Sequence, residues 1–193
     1  MVKVKNVGMP IQLVAIQGIS MLRIRFATRQ DVSLLKTMIL ELAECEHVRD
    51  RVVATELDLE RDGFGPQPKF RALIAEWDHQ PAGYALFFDA YSTWEGRPAL
   101  FLEDLFVRSE FRSKGIGRAL LGSVACLAQR DNCCGVRWEV LDWNQTAIKF
   151  YESLGATFFP QWESVLLTGK ALQRAAAADS GCTLALWAKN EVA

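Results

Sequence analysis

The chain is short of histidine, of paired cysteine spacings and of long apolar runs, and each shortage excludes a class of protein. His47 and His79 are the only histidines, so a histidine-built metal centre or a Cys–His nucleophile set by a known motif lacks its material. The five cysteines, Cys45, Cys126, Cys133, Cys134 and Cys182, are odd in number and none stands in C-x-x-C spacing. That argues against a zinc site and a disulfide framework, and for reduced thiols in a cytoplasmic protein. No stretch reaches the roughly 18 apolar residues that a spanning helix needs. With 22 basic and 23 acidic residues the net charge is −1, which leaves no global basic footprint for nucleic acid. G-x-x-x-x-G-K-[ST] is missing, and Leu120 stands where G-x-G-x-x-G needs its third glycine, so the common nucleotide fingerprints are absent as well.

What is present is the composition of a globular chain of 193 residues, half of them hydrophobic, enough for one domain with its own core. At the N-terminus Lys3 and Lys5 precede an apolar stretch, but Gln12 and Gln17 interrupt it and no clean small-x-small cleavage site follows. Residues 1–20 therefore read as an unordered extension, with Met21 a candidate natural start. Leu22–Phe26 reads as a strand. Thr28-x-x-Asp31 has the form of a capping box, and Val32, Leu35, Ile39 and Leu42 follow at helical spacing, predicting a helix over 29–46. A second T-x-x-D, Thr55 with Asp58, opens a short helix to about Asp62, with Gly63 as its C-cap. Phe70–Trp77 and Gly83–Phe88 read as strands joined by a turn containing Asp78, Pro81 and Gly83. Asp89–Pro98 reads as a loop, Ala99–Val107 as a buried strand, and Arg108–Gly117 as a charged loop. A helix over 116–130, a strand at Val136–Leu141, a helix over Asn144–Leu154 with Gly155 as cap, and a closing hairpin of Thr157–Trp162 and Ser164–Leu167 complete the order. An early antiparallel hairpin followed by strands joined through helices predicts an α/β chain with a mixed sheet. The expected organisation is an extension over 1–20, a domain over 21–172 and a tail over 173–193.

Two segments carry candidate chemistry. Arg112-Ser113-Lys114-Gly115-Ile116-Gly117-Arg118 follows a buried strand and opens a helix. Glycines let backbone N–H groups turn toward an anion, the helix N-terminus adds positive potential, and four basic side chains lie in or beside the turn, which suits a pyrophosphate. In Trp143-Asn144-Gln145-Thr146-Ala147-Ile148-Lys149-Phe150-Tyr151, Asn144 and Tyr151 are two helical turns apart on one face, about 10 Å along the axis. Between them in the chain, Glu103 and Asp104 interrupt an apolar strand, where carboxylates are costly unless partnered or functional.

Together, a strand, R-x-x-G-x-G, a helix, a strand and W-N-x-x-A-x-x-F-Y-x-x-x-G-A resemble the GNAT acetyltransferases. Arg61-Asp62-Gly63-Phe64-Gly65, Glu41-Leu42-Ala43-Glu44-Cys45-Glu46 and Phe101-Leu102-Glu103-Asp104-Leu105-Phe106-Val107 extend the likeness to the diamine (spermidine/spermine-type) and thialysine acetyltransferases, from about Leu22 to Leu172. The resemblance implies a twisted mixed sheet flanked by helices, whose central parallel strands splay apart around acetyl-CoA. It implies that Leu105, Phe106 and Val107 meet the acetyl and pantetheine parts. Arg112, Ser113, Lys114, Gly115, Ile116, Gly117 and Arg118 would cradle the pyrophosphate, and Asn144 and Ala147 the far side of the pantetheine. The reaction implied is direct acetyl transfer to an amine, with Glu103 binding the acceptor and removing its proton and Tyr151 protonating the departing thiolate. Cys45, Glu46, Trp94, Glu103, Asp104, Arg137, Trp138 and Glu139 fall at acceptor-contacting positions. No metal is implied, and the partners expected are a small amine and a second copy of the chain, without nucleic acid or membrane.

Two departures qualify the acceptor. Cys45 replaces the family's tyrosine, and Thr157-Phe158-Phe159-Pro160-Gln161-Trp162 lacks the short acidic loop of the polyamine enzymes. A small diamine or polyamine is the leading expectation. A thialysine- or lysine-like amino acid, a protein amine, or a CoA-binding module without chemistry are the alternatives. The near-zero charge is itself divided: residues 28–62 sum to −4 and 108–118 to +3, an acidic half for an amine and a basic turn for phosphates.

Overall fold

The computed structural model describes residues 12–15 and 21–177. They fall into two compact units, one within Gly8–Glu139 and one within Val140–Ala193.

The first unit is built on a six-stranded sheet in chain order. Its strands are β1 (Gln12–Ala15), β2 (Met21–Phe26), β3 (Arg71–Trp77), β4 (Gln80–Ser92), β5 (Arg97–Val107) and β6 (Val136–Arg137). Every neighbouring pair is antiparallel except β5 and β6, which run parallel. Within the expected N-terminal extension, Gln12–Ala15 pairs with β2; the rest of 1–20, and 178–193 with Cys182, lie outside the described residues. Helix α1 (Val32–Cys45) and the short α2 (Glu56–Phe64) follow β2, and α3 (Ile116–Arg130) links β5 to β6.

Both T-x-x-D boxes form. Asp58 accepts from the Thr55 N–H at 2.9 Å while the Thr55 hydroxyl oxygen accepts from the Asp58 N–H at 3.2 Å. Helix α2 runs two residues past its expected end, and Gly65 rather than Gly63 is its C-cap. Gly63 is glycine for another reason: a Cβ there would lie 2.6 Å from the Phe70 ring.

The two faces of the sheet are distinct. Ala72, Ile74, Tyr84, Leu86 and Phe106 form one core with Leu35 and Met38 of α1. The opposite face carries residues of the alternate parity, among them Leu73, Ala85 and Phe87, and α3 packs against the sheet with Leu120, Val124 and Leu127 buried.

Three expected boundaries move. The β3–β4 connection is only Asp78–His79, both in the left-handed region, which suits a two-residue hairpin. Pro81 therefore sits within β4, beside an irregularity in its pairing with β3. Strand β4 continues through the expected loop to Ser92 because β5 already pairs with it from Arg97. Strand β6 ends at Arg137 instead of Leu141, since its ladder with β5 holds only Leu100↔Val136 and Phe101↔Arg137.

In the second unit, α4 (Gln145–Glu152) is capped by Asn144 and ends near Gly155, whose φ is +78°. The closing hairpin does not form. Among the described residues 157–167 hold no strand, and Phe159, Trp162, Val165 and Leu166 are exposed. Helix α5 (Gly169–Ala177) follows.

Candidate active site

The site is built around β5. Leu86 faces Asp104 across the β4–β5 ladder and Phe87 faces Leu102, so Glu103 is an extra residue with no partner on β4. This is a β-bulge, which bends a strand and re-aims its side chains. It also explains how two adjacent carboxylates coexist in an apolar strand. Glu103 loops outward and is exposed, whereas Asp104 turns to the α1 face beside Leu86. On the other edge of β5, pairing with β6 stops at Phe101. From Leu102 to Val107 the strand has no ladder partner on that side among the described residues, which is the splay expected of the central parallel pair.

Asp104 is poorly compensated. Its Oδ2 accepts from the Tyr84 hydroxyl at 2.9 Å, and no Lys, Arg or His among the described residues pairs with it. Burial, with help from Glu103 and Glu46, pushes its pKa up to about 6, against the opposing effect of the Tyr84 hydrogen bond. Glu46, at the C-cap of α1, is also pushed up, by burial. Three carboxyl groups thus converge where nothing cationic among the described residues answers them, an arrangement suited to a positively charged ligand.

A cavity of about 290 Å³ opens between Glu41, Glu44 and Cys45 of α1, Phe106 of β5, and Arg108 and Arg112 after it. Arg108 is not free for phosphate: it donates twice to Glu41, at 2.8 and 2.9 Å, and to the Pro81 carbonyl at 3.0 Å. Arg112 donates to the Val107 carbonyl at 3.1 Å and approaches the Cys45 Sγ at 3.6 Å. Lys114 lies over the rings of Trp77 and Phe111, 5.3 and 5.2 Å from their centroids. The positive charge expected to surround the turn is therefore partly tied back to the protein.

The turn itself keeps its anion-binding form. Ser113 and Gly115 both take positive φ, and α3 starts from Gly115 with no side chain capping it and no acid in its first turn. Its first turn, from Ile116 and Gly117, presents the backbone N–H groups of a helix N-terminus, the form that suits an anion.

The remaining predicted residues divide. Leu105, Phe106 and Val107 lie on the stretch of β5 with the open edge. Arg137 is on β6, and Trp138 and Glu139 follow it outside the ladder. Trp94 is at the exposed tip of the β4–β5 hairpin. Leu86, opposite Asp104, lies six positions from Ser92 at that tip, about 20 Å of strand, so one chain does not bring Trp94 to Asp104. In the second unit, the Asn144 side chain accepts from the Ala147 N–H at 3.1 Å, which commits that oxygen to the cap, and Tyr151 is buried against Phe150 with ring centroids 5.2 Å apart. Tyr84 is the residue that sequence reading missed, because Gly83–Phe88 has the appearance of plain core.

Comparison with known proteins gives a consistent picture. The profile of the "Acetyltransferase (GNAT) family" matches residues 36–156. A thialysine N-epsilon-acetyltransferase of Sus scrofa is 38% identical over 164 residues, covering 79% of this chain and 96% of that protein. A spermidine/spermine N(1)-acetyltransferase-like protein of Homo sapiens is 36% identical over 141 residues, covering 69% of this chain and 20% of that one. Among solved structures, an integron cassette protein from the mobile metagenome of V. cholerae superposes with a TM-score of 0.67 at 26% identity, over 80% of this chain and 97% of that one.

Proposed function

The chain belongs to the GNAT family of N-acetyltransferases, and we propose that its acceptor is the primary amine of a small, lysine-like amino acid or short diamine. The observation that carries this reading is the convergence of Asp104, Glu103 and Glu46 without a cation among the described residues to answer them. An alkyl ammonium, with a pKa near 10, supplies that cation and must then lose a proton to become a nucleophile. A carboxylate raised to about 6 is a better proton acceptor than an ordinary one, yet is still ionised at neutral pH.

Acetyl-CoA, the family's donor, supplies the activated thioester. The turn at Ser113–Gly117 and the N-terminus of α3 fit its pyrophosphate, and the open edge of β5 fits its acyl arm. Glu103 and Asp104 bind the ammonium, one of them receiving its proton directly or through water. The amine nitrogen bonds to the acyl carbon as the C–S bond breaks, and a β5 backbone N–H is the natural donor to the carbonyl oxygen. The likeness of the motif around Tyr151 to the family's supports reading that phenol as the source of the proton for the departing thiolate.

Between acceptors, the acid-free 157–162 segment and the thialysine-acetylating relative favour a lysine-like amino acid. The spermidine/spermine-type relative keeps a diamine as the second reading. The test is thiol release from acetyl-CoA with thialysine, lysine, putrescine, spermidine and spermine. Thialysine or lysine is expected to give the highest kcat/KM. Preference for spermidine or spermine would overturn the acceptor reading, and no turnover with any amine would overturn the wider one.

A further inference from the structure

Tyr84 lies on β4 with no surface exposed, in the core between the sheet and α1, its ring 6.1 Å from that of Phe106. A buried phenol needs a partner for its O–H. The apolar neighbours offer none, and the bond goes diagonally across the ladder to Asp104 Oδ2. Asp104 Oδ1 accepts from no donor among the described residues. No fully buried side-chain oxygen or nitrogen among them lacks a partner, so Oδ1 is not sealed from the surface. The carboxylate is thus anchored in the core by one oxygen and left unfilled at the other.

We propose that Tyr84 is a positioning residue for acetyl transfer: it holds Asp104 by Oδ2 and thereby presents Oδ1 to the ammonium of the acceptor. This rests on the reading of Asp104 as a carboxylate of the amine site. The groups that face Asp104 are Tyr84 from β4, Glu103 from β5 and Glu46 from the end of α1. Burial and both glutamates favour its protonated form, and the Tyr84 hydroxyl alone opposes them. Removing that hydroxyl leaves only influences that keep a proton on Asp104 and close it to the ammonium. A phenol serving only to fill the core would have no such effect.

The experiment is Tyr84→Phe, read in two ways. In the pH profile of kcat/KM for the amine, the acid limb is expected to move up by about one pH unit. That lowers the rate at pH 6 about fivefold, approaching tenfold at lower pH, while the KM for acetyl-CoA is unchanged. In carbon NMR of aspartate-labelled protein, the Asp104 carboxyl is expected to titrate at higher pH than in the wild type. An unshifted titration overturns the proposal, whatever the enzyme acetylates. A shifted titration in a protein that acetylates no amine overturns the amine-site reading instead, and with it the presentation of Oδ1. Should Tyr84→Phe not fold, Asp104→Asn keeps an acceptor for the phenol; it is expected to flatten the acid limb, and a limb left in place overturns the proposal.

Discussion

Asp31 and Asp104 are both sunk into the first unit, and they have opposite fates. Asp31, just before α1, is 8% exposed. It accepts from two Arg25 nitrogens at 2.7 and 2.8 Å and from the Thr28 N–H and hydroxyl at 2.7 and 2.8 Å. The Arg25 bonds hold its pKa down to about 2, burial notwithstanding. Arg25 also donates to Glu76 at 2.7 Å, tying the start of α1 to β2 and β3. Asp104 has one neutral donor and lies at about 6. Proton affinity follows the partners rather than the residue type. A carboxylate whose oxygens are filled by the protein serves the fold, and one left half-filled is available to a ligand.

The contrast can be broken most directly by kinetics. Asp104→Asn is expected to lower kcat/KM for the amine about a thousandfold, equivalent to about 4 kcal/mol, with the acetyl-CoA KM unmoved. Asp31→Asn should stay within about twofold per folded molecule. Equal losses in initial-rate assays would erase the distinction. Next is stability: Asp31→Ala strands Arg25 and should cost about 3 kcal/mol in urea unfolding, whereas Asp104→Asn should be neutral or stabilising.

A smaller effect appears in melts across pH. Asp31, with its pKa depressed in the folded state, contributes fully above its unfolded value near 3.8, and loses that contribution as pH falls toward 2. Asp104, with its pKa raised, makes the folded state the stronger proton binder between about 4 and 6, so stability falls as pH rises through that window. Asp104→Asn should flatten that decline and leave the low-pH loss intact. The smallest test uses the exposed copy of the same box: Thr55→Ala is expected to lower the melting temperature by about 3 °C.

Local signals were readable in the sequence. The two T-x-x-D boxes, the buried stripe of α3, the glycine turn before it and the Asn144 cap all depend on neighbours within a few residues. What escaped reading depends on contacts across the chain. Arg108 meets Glu41 from 67 positions away, which makes a basic residue beside the turn a brace between β5's end and α1. Tyr84 could not be separated from core until Asp104 was found beside it. Glu103 and Asp104 read as two carboxylates in one apolar strand, and the bulge that sets them apart arises only from pairing with β4. The short β6 and the unformed hairpin over 157–167 carry suitable strand residues, but a strand exists only where a neighbouring edge accepts it.

The bulge also separates two things that substitution confounds. Before it Leu100 and Leu102 share the α3 side of the sheet; after it Asp104 and Phe106 share the α1 side. Excising Glu103 would close the ladder without turning any remaining side chain to the other face, whereas Glu103→Gln keeps the bend and removes only the charge. Comparing the one-residue deletion with the substitution therefore divides what the strand's curvature does for the reaction from what its carboxylate does.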